Sequence, residues 1–363
     1  MSRTITSRAA VALTAGKVDI VEIEIPAPTG RQILIDVAAC GLCGSDLHFI
    51  DGTSGTAFPY LLGHEVSGTV REIGADVTKF AVGDQVIGAL VVACQECKDC
   101  ERGRPKACRF RKPVLPHPTL EDGRELTPVL GIGGLADVLL IDQLHLTKLP
   151  DGLELELGAL LGCGVSTGFG AAANTGEVRP GDRVAVIGAG GVGLAAIAGA
   201  HASGADAILA LDRDRTRFDR AKQFGATHTA APEDISGGIA DDQRYDVVID
   251  CVGGAGPLQM AIDLLQTGGR IVMPGAPRRD EEVTLAMRTL FDRRVEFTVC
   301  HLGDCVPDED MPRIAALAAD GSFPLELYRS ETVGLEDAPA AYERMRRGEV
   351  LRSIVVPSRD RRA

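Results

Sequence analysis

The chain has 363 residues, more than a single hydrophobic core usually organises, so we expect two domains. Its 45% apolar residues and 43 glycines are typical of a soluble globular protein with many tight turns. The net charge of −13 argues against nucleic acid or an anionic membrane as a partner.

The sequence also bears on location. The most apolar stretch, residues 184–200, is interrupted by five glycines, whereas a membrane helix needs about 20 nearly unbroken apolar residues. The N-terminal segment has no long apolar core and no cleavage site, so we expect no secretory leader and a cytoplasmic protein. The cytosol keeps thiols reduced, so the ten cysteines are expected to bind metal or take part in catalysis.

The first part of the chain, up to residue 160, consists of short β-segments separated by glycine and proline. Alternating or β-branched residues predict strands at Val18–Ile25, Gln32–Ala38, Glu65–Ile73 and Gln85–Ala89. This pattern indicates an antiparallel, barrel-like domain.

Beyond Pro180 the pattern changes to strands that alternate with helices. The predicted strands are Asp182–Ile187, Ala207–Leu211, Asp246–Cys251 and Gly269–Met273. The predicted helices between them include Gly191–Ser203 and Arg215–Phe224. This alternation predicts a parallel, doubly wound sheet.

Two helices, Met311–Ala319 and Ala338–Arg347, and a strand, Leu351–Val356, are predicted for the last part of the chain. We expect this part to fold back onto the first domain. The predicted domains are therefore residues 1–165 with 305–363, and residues 166–304.

A glycine-rich turn follows the strand Asp182–Ile187 and opens the next helix. Its sequence is Gly188-Ala189-Gly190-Gly191-Val192-Gly193. In this pattern Gly188 permits the tight turn, Gly190 lets the backbone approach a pyrophosphate, and Gly193 allows close helix–strand packing. The helix N-terminus favours negative charge. A glycine-rich turn of some other α/β fold is the alternative.

An acidic residue, Asp212, ends the next strand, nineteen residues after Gly193. Its carboxylate is expected to accept hydrogen bonds from the adenosine ribose and to repel a 2′-phosphate, which favours NAD over NADP. Arg213 follows immediately and works against that preference, because it offers a partner for a phosphate.

Four cysteines lie close together in one loop: Cys94, Cys97, Cys100 and Cys108. A closed set of four thiolates suits tetrahedral Zn²⁺ and leaves no open position, so we predict a structural zinc site. An iron–sulfur cluster is the main alternative, but the bacterial ferredoxin spacing ends with a shorter gap and a proline, which this sequence lacks.

Three other possible metal ligands are dispersed along the chain. Cys43 lies in GLCGSDLH, His64 in GHE and Cys163 in GCGVSTG. Taken one at a time, each is better explained as a buried thiol or as a histidine in a polar turn, because free cysteine is among the most buried residue types.

Taken together, these segments resemble the zinc-containing medium-chain alcohol dehydrogenases. The similarity runs along nearly the whole chain, in the family's order and intervals, from GLCGSDLH to the segment Leu351-Arg352-Ser353. It implies an α/β protein with a GroES-like, mostly β catalytic domain and a doubly wound, parallel-sheet Rossmann domain. It also implies two zinc ions per subunit, one catalytic and one structural, and NAD as the cofactor.

The resemblance implies that Cys43, His64 and Cys163 hold the catalytic zinc and leave a fourth position for water or substrate, the ligand set of alcohol dehydrogenase. Zn²⁺ there lowers the pKa of a bound hydroxyl and polarises a carbonyl. Asp46 and Glu65 match carboxylates that orient the ligands and tune the charge at the metal.

Ser45 is implied to hydrogen-bond the substrate oxygen, and His48 to pass the released proton through the nicotinamide ribose to solvent. Histidine suits this role because its pKa lies near working pH. An ordinary surface histidine is the alternative for His48.

Further side chains match cofactor or substrate positions of the family. Thr167 and Val192 match residues that shape the nicotinamide pocket. Arg352 matches an arginine that pairs with the pyrophosphate, and Leu90 a side chain of the substrate pocket.

The sequence departs from the family at Gly44, where several members carry a basic residue that touches cofactor phosphate, so faster NAD release is expected. GLCGSDLH also resembles the polyol dehydrogenase branch, which usually lacks the cysteine found here as Cys163. The segments around Cys305 and Arg352 look more like actinobacterial alcohol and thiol-adduct formaldehyde dehydrogenases. The loop Arg109–Leu130 matches no known pattern and leaves the substrate open.

Three functional hypotheses follow. The first is an oxidoreductase that transfers a hydride between an alcohol, or its aldehyde or ketone, and NAD. The second is a dehydrogenase of a thiol adduct of formaldehyde. The third is a catalytically inactive binding protein of the same fold, although the intact zinc ligands argue against it.

The resemblance also implies an oligomer. Family members are homodimers or homotetramers built through the cofactor domain, and Asp292–Val299 is the candidate pairing strand.

Overall fold

The computed structural model describes residues 3–90, 93–94, 97–102, 107–108, 116–235, 240, 243–278 and 280–358. The chain divides into two compact units. Unit 1 comprises Met1–Cys163 and Glu326–Ala363, and unit 2 comprises Gly164–Leu325. None of the helices in the described part of the chain has the length and apolar character that a membrane span requires.

The strands, in chain order, are β1 (Thr4–Thr14), β2 (Lys17–Pro26), β3 (Gln32–Gly41), β4 (Tyr60–Leu61), β5 (Glu65–Ile73), β6 (Gln85–Gly88), β7 (Thr119–Leu120), β8 (Thr127–Pro128), β9 (Val138–Asp142), β10 (Leu146–Lys148), β11 (Arg183–Ile187), β12 (Ala207–Leu211), β13 (His228–Ala230), β14 (Tyr245–Asp250), β15 (Leu265–Met273), β16 (Glu296–Val299), β17 (Arg329–Val333) and β18 (Arg352–Val355). The α-helices are α1 (Gly44–Ile50), α2 (Lys98–Glu101), α3 (Leu155–Leu160), α4 (Gly164–Gly170), α5 (Gly191–Ala202), α6 (Phe218–Gln223), α7 (Ala255–Leu264), α8 (Met287–Arg293), α9 (Pro307–Ala319) and α10 (Ala338–Arg346).

Unit 1 is built on two mainly antiparallel sheets. One has the strand order β7-β2-β1-β4-β8, and the other has the order β10-β6-β5-β3-β18-β17 with β9 paired to β3. Strand β3 is buried along most of its length, as expected for the centre of a sheet that is covered on both faces. The four strands predicted in this part of the sequence are confirmed.

The end of the chain returns to unit 1. Strand β18 pairs antiparallel with β3, where Ile354 lies opposite Gly41 and Val355 opposite Cys40. Helix α10 packs beside it and contributes Ala338, Ala341 and Tyr342 to an apolar cluster. The last strand therefore lies next to the segment that begins the GLCGSDLH motif.

Unit 2 is a six-stranded parallel sheet with the order β13-β12-β11-β14-β15-β16. Strand β12 is buried at every residue, which explains its continuous apolar sequence AILAL. The doubly wound sheet predicted from the sequence is confirmed, and its strand order reverses between β11 and β14. In such sheets ligands bind at the carboxyl ends of the strands beside this reversal.

One detail of unit 2 differs from the sequence-based expectation. The predicted helix 215–224 begins as a 3-10 turn, Arg215–Arg217, because the Asp214 carboxylate accepts a hydrogen bond from Thr216 N at 3.0 Å. Unit 2 extends to Leu325, and within it residues 302–304 and helix α9 pack against helix α4.

Candidate functional site

The four-cysteine loop forms a compact thiol cluster. The Cys97 Sγ atom lies 3.5 Å from Cys100 Sγ and 3.8 Å from Cys108 Sγ, and Cys94 Sγ lies 4.0 Å from Cys100 Sγ. All four Sγ atoms lie within 4.8 Å of one another. Four thiolates in this arrangement match tetrahedral zinc and leave no coordination position for a substrate.

A second cluster collects residues that are far apart in the sequence. One ligand atom each from Cys43, His64, Glu65 and Cys163 lies within 4.8 Å of the others, and all four residues are buried. The structure thus brings together the three dispersed ligands expected from the sequence. It also places the Glu65 carboxylate among them, although the sequence had assigned that residue to the surroundings of the metal.

Local structure explains how Cys43 and His64 reach this position. Cys43 precedes helix α1, and its N–H donates to the Asp46 carboxylate at 3.2 Å. His64 follows Gly63, whose φ of 86° is readily adopted by glycine. A side chain at residue 63 would also collide with Leu135 and with the Cys40 thiol.

The orientation of His64 fits a metal ligand. Its Nδ1 atom is hydrogen-bonded to Asp46 Oδ1 at 2.9 Å. Its Nε2 atom is buried and has no hydrogen-bond partner in the described part of the chain. In a metal-binding histidine, one ring nitrogen is usually hydrogen-bonded to a carboxylate, and the other directs its electron pair at the metal. His64 has this arrangement, because its Nε2 atom faces the thiols. The donor set therefore fits a zinc ion.

The two thiols of this cluster differ in acidity. The hydrogen bond from Cys163 lowers the pKa of Cys43 well below the ordinary thiol value, and Arg352 and His64 add to this effect against the opposing effect of burial. The same hydrogen bond, together with burial, raises the pKa of Cys163. Burial lowers the pKa of His64, but the charges of Asp46 and Cys43 outweigh it and raise that pKa.

Arg352 lies beside this cluster and is 7% exposed. Its Nη2 atom lies 3.9 Å from Cys43 Sγ, and its Nε atom lies 3.6 Å from Glu65 Oε2. Burial opposes the guanidinium charge, yet Glu65 and both thiols keep the pKa of Arg352 above its ordinary value. The sequence assigned Arg352 to the cofactor pyrophosphate, whereas in the structure its side chain contacts Cys43 and Glu65 of the metal cluster.

Gly41 explains why the Glu65 carboxylate fits. A Cβ atom at residue 41 would lie 2.5 Å from Glu65 Oε2 and 3.2 Å from a Leu160 methyl carbon. Every residue with a side chain at this position would therefore displace Glu65 from the cluster. The first glycine of GLCGSDLH thus has a structural reason that the sequence alone did not reveal.

The two residues expected to handle the proton lie on helix α1. Ser45 is half-buried and His48 is exposed. The His48 Nδ1 atom lies 3.3 Å from Thr53 Oγ1, which in turn donates to the His48 carbonyl at 3.1 Å. The exposure of His48 agrees with a route to solvent and equally with an ordinary surface histidine.

The glycine-rich turn of unit 2 shows the geometry of a dinucleotide site. Gly188 has a φ of 91°, which favours glycine. A Cβ atom on Gly193 would lie 1.7 Å from the Gly188 carbonyl oxygen, whereas one on Gly190 would meet nothing within 4 Å. Gly193 is therefore required for packing of the turn, and Gly190 leaves open space in front of the backbone. That space fits the pyrophosphate of a dinucleotide.

Asp212 lies at the end of β12, as expected, and fixes the same turn. Its Oδ2 atom accepts a hydrogen bond from Ala189 N at 2.8 Å and lies 3.2 Å from Arg217 Nη1. Its Oδ1 atom accepts from Asp214 N at 2.9 Å. Arg213 is exposed. The sequence did not single out Arg217; its position five residues after Asp212, in the first turn of a helix, was the available signal.

The residues expected to shape the pockets are distributed over both units. In unit 2, Thr167 and Val192 are half-buried on helices α4 and α5, which pack so closely that a Cβ on Gly168 would lie 2.1 Å from Val192 O. In unit 1, Leu90 is partly buried against an apolar cluster. Of the loop 109–130, residues 109–115 lie outside the described residues, and the rest includes β7 and β8.

Known proteins are similar to this chain in sequence and in fold. Residues 29–151 match the family described as alcohol dehydrogenase GroES-like domain, and residues 191–320 match the family described as zinc-binding dehydrogenase. An S-(hydroxymethyl)glutathione dehydrogenase of Escherichia coli is 32% identical over 366 residues, which cover 96% of this chain and 99% of that protein. The chain belongs to the zinc-containing alcohol dehydrogenase family.

Solved structures of this family support the assignment. An alcohol dehydrogenase zinc-binding domain protein from Burkholderia ambifaria has a TM-score of 0.90 and 29% identity, covering 98% of this chain and 99% of that chain. Benzyl alcohol dehydrogenase from Acinetobacter calcoaceticus has a TM-score of 0.88 and 27% identity, covering 97% and 99%. A zinc-binding dehydrogenase from Sinorhizobium meliloti, solved with NADP, has a TM-score of 0.80 and 25% identity, covering 97% and 100%. The chain is therefore a zinc-dependent oxidoreductase of the alcohol dehydrogenase type, with a GroES-like and a Rossmann-like domain.

Proposed function

We propose that this protein oxidises an alcohol, or reduces the corresponding aldehyde or ketone, with NAD as the hydride carrier. The observation that carries the proposal is the cluster of two thiols and one imidazole, with ligand atoms within 4.8 Å of one another and the buried Nε2 atom of His64 turned to it. Such a set supplies three ligands and leaves a fourth position for a substrate oxygen.

In this proposal, Cys43, His64 and Cys163 hold the catalytic zinc, while the four-cysteine loop holds a structural one. A zinc ion bound by such a set acts as a Lewis acid, which lowers the pKa of an alcohol hydroxyl or polarises a carbonyl. Asp46 keeps the imidazole in the tautomer that has its electron pair on Nε2. Arg352 balances the negative charge of Glu65 and the thiolates, which is otherwise hard to accommodate in a buried site.

Alcohol oxidation also releases a proton, which must leave the site. We assign the hydrogen bond to the substrate oxygen to Ser45 and the transfer to solvent to His48. Ser45 is half-buried at the start of α1, and His48, one turn later, is exposed. This gradient of exposure along a single helix supports a proton path in that direction.

The cofactor is assigned to the glycine-rich turn and Asp212 of unit 2. The carboxylate of Asp212 stands where a 2′-phosphate would be repelled, which supports NAD. Arg213 and Arg217 lie close to it in sequence and one of them contacts it, so some use of NADP is also expected. A relative that was solved with NADP agrees with such tolerance.

The test is a spectrophotometric screen of alcohols and aldehydes with NAD(H) and NADP(H), combined with zinc analysis. We expect two zinc ions per chain and activity that is lost on chelation and restored by zinc. Cys163→Ser is expected to lose one zinc and the activity. Cys305→Ser is the matched control, because this buried thiol belongs to neither cluster and donates to Ser166 O at 3.2 Å. Equal zinc content in the two variants contradicts the proposal.

A second candidate substrate is a thiol adduct of formaldehyde. It is supported by the curated relatives, which are S-(hydroxymethyl)glutathione dehydrogenases that match 96% of this chain. The same screen separates the two, because formaldehyde oxidation that requires an added low-molecular-weight thiol indicates the adduct. Alcohol oxidation without thiol, and no thiol-dependent formaldehyde oxidation, indicates the first candidate.

We further propose a homo-oligomer formed through unit 2, either a dimer or a tetramer. Strand β16 lies at the edge of the parallel sheet, and large apolar side chains are exposed on it and on the preceding helix α8. The exposed fractions are 76% for Phe291, 75% for Met287, 49% for Phe297 and 47% for Val299. An exposed edge strand with apolar side chains pairs readily with a second copy. Sedimentation of Phe297→Lys, which we expect to be monomeric, tests this.

We also place the protein in the cytoplasm. None of the ten cysteines is joined in a disulfide, and six of them form the two proposed zinc sites, which require reduced sulfur. A reducing compartment satisfies this requirement. Cell fractionation with an antibody against the native chain tests the location.

A further inference from the structure

A tyrosine of the returning C-terminal segment lies in the interior of unit 1. Tyr342, on helix α10, is 1% exposed and belongs to an apolar cluster with Leu62, Leu335 and Val355. Its hydroxyl oxygen makes no hydrogen bond to any residue that the structure describes. Buried hydroxyl groups in native proteins normally have a partner, because leaving one without a partner is costly.

The polar groups near this hydroxyl lie in the metal cluster or beside it. Helix α10 packs against helix α1, which carries Asp46. Burial raises the pKa of Tyr342, and the next contributions come from the Asp46 carboxylate and from the thiols of Cys40 and Cys43. The ring of Tyr342 lies in one apolar cluster with Leu42 and Ile50, and Leu47 packs against that cluster, so the phenol lies beside the segment that carries Asp46.

Asp46 has capacity for one further donor. It is fully buried. Its Oδ2 atom accepts from Cys43 N at 3.2 Å, and its Oδ1 atom accepts from Gly63 N at 3.3 Å and is bonded to His64 Nδ1 at 2.9 Å. A carboxylate offers about four acceptor positions. Because Asp46 is fully buried, the source available for a fourth donor is the interior of the protein.

We propose that Tyr342 is a positioning residue of the catalytic zinc site: once zinc is bound, its unpartnered hydroxyl turns to Asp46 and donates to it, which fixes the carboxylate that orients His64. The proposal rests on the proposed function only in that it takes the Cys43–His64–Cys163 cluster to be the catalytic zinc site. Packing alone does not explain the residue. Phenylalanine fills the same space in the apolar cluster without the cost of a buried hydroxyl.

The test compares zinc release from two purified, zinc-loaded variants. Tyr342→Phe removes the proposed donor. Tyr60→Phe is the control, because Tyr60 belongs to the same apolar cluster, is 4% exposed, and its hydroxyl accepts from Ala57 N at 3.0 Å instead of facing Asp46. Release is followed with a metallochromic chelator in the absence of substrate and cofactor, so the result does not depend on activity.

We expect Tyr342→Phe to release the catalytic zinc about tenfold faster than the parent, at the lower end of the effect of residues that hold metal ligands. Release from the four-cysteine loop is expected to be unchanged, and Tyr60→Phe is expected to behave like the parent. Parental release from Tyr342→Phe overturns the proposal. Lack of NAD-dependent activity, by contrast, contradicts the proposed function and leaves this measurement intact.

A double-variant cycle separates positioning from packing. If Tyr342 acts through Asp46, Tyr342→Phe has little further effect in an Asp46→Asn background. A full tenfold effect in that background shows a packing role and overturns the proposal. If Asp46→Asn holds no zinc at this cluster, the absorption spectrum of the Co²⁺-loaded Tyr342→Phe protein decides. Altered ligand-field bands support the proposal, and parental bands overturn it.

Discussion

Two glycines of the turn between β11 and α5 are expected to respond very differently to the same substitution. In Gly193→Ala the new methyl group would lie 1.7 Å from the Gly188 carbonyl oxygen, half the 3.4 Å at which ordinary contact begins. The turn must therefore shift within the folded protein. In Gly190→Ala the methyl group meets no atom within 4 Å, so the protein folds as before and only the space in front of the backbone is filled.

The magnitudes follow from these geometries. Overpacking of this kind costs about 1–3 kcal/mol, which lowers the Tm of a unit of this size by about 3–10 °C for Gly193→Ala. We expect no change in the Tm of Gly190→Ala without cofactor. Its NADH affinity, however, is expected to fall at least about tenfold, or about 1.4 kcal/mol, because the pyrophosphate cannot approach the backbone.

The assays are thermal unfolding without cofactor and a titration followed by NADH fluorescence. The chain contains no tryptophan, so energy transfer from indole does not complicate the fluorescence titration. Unchanged NADH affinity in Gly190→Ala would refute the assignment of the dinucleotide to this turn. An unchanged Tm in Gly193→Ala would refute the packing argument.

Three further predictions concern unit 1. Asp46→Asn is expected to weaken zinc binding at the Cys43 cluster about 10–100-fold, because it loosens the hydrogen bond to His64. Equilibrium competition with a chelator measures the zinc affinity, and an affinity equal to that of the parent contradicts the prediction. Gly44→Arg adds a cation where a Cβ meets nothing within 4 Å. If this cation contacts a cofactor phosphate, NADH dissociates more slowly in a stopped-flow displacement experiment. A dissociation rate equal to that of the parent rejects the phosphate contact. Burial lowers the pKa of His145 below 6.5, so as the pH falls below 6.5 the unfolded chain takes up a proton that the folded one does not. Stability is therefore lost on acidification. His145→Asn, whose amide can still donate to Ala89 O, is expected to show a weaker dependence of Tm on pH, and an identical pH profile contradicts this.

The sequence predicted the regular elements well, for identifiable reasons. Continuous apolar runs such as AILAL and the strand–glycine turn–helix pattern determine the parallel sheet locally. The three dispersed ligands could not be identified from a local pattern. Cys43, His64 and Cys163 have no local signal of their own, and only the resemblance to a family connected them before the structure placed them together.

What the sequence did not show depends on contacts between distant segments. Glu65 joins the metal cluster because residue 41 is glycine and leaves space for its carboxylate. Tyr342 is an unremarkable residue of an amphipathic helix until α10 is packed against α1. A turn with three successive positive φ angles, Leu302–Asp304, holds the chain against α4. Only one of those three residues is glycine, so no sequence pattern predicts this turn.

The positions of the two sulfur clusters in the chain have a consequence for biosynthesis. All four thiols of the first lie between residues 94 and 108, so a nascent chain can close that loop as soon as it leaves the ribosome, at small entropic expense. The second needs Cys163, the last residue before unit 2 begins, and its neighbour Arg352 is made only after all of unit 2. One metal can therefore be captured early in translation, whereas the other can be enclosed only after distant parts of the chain have been made.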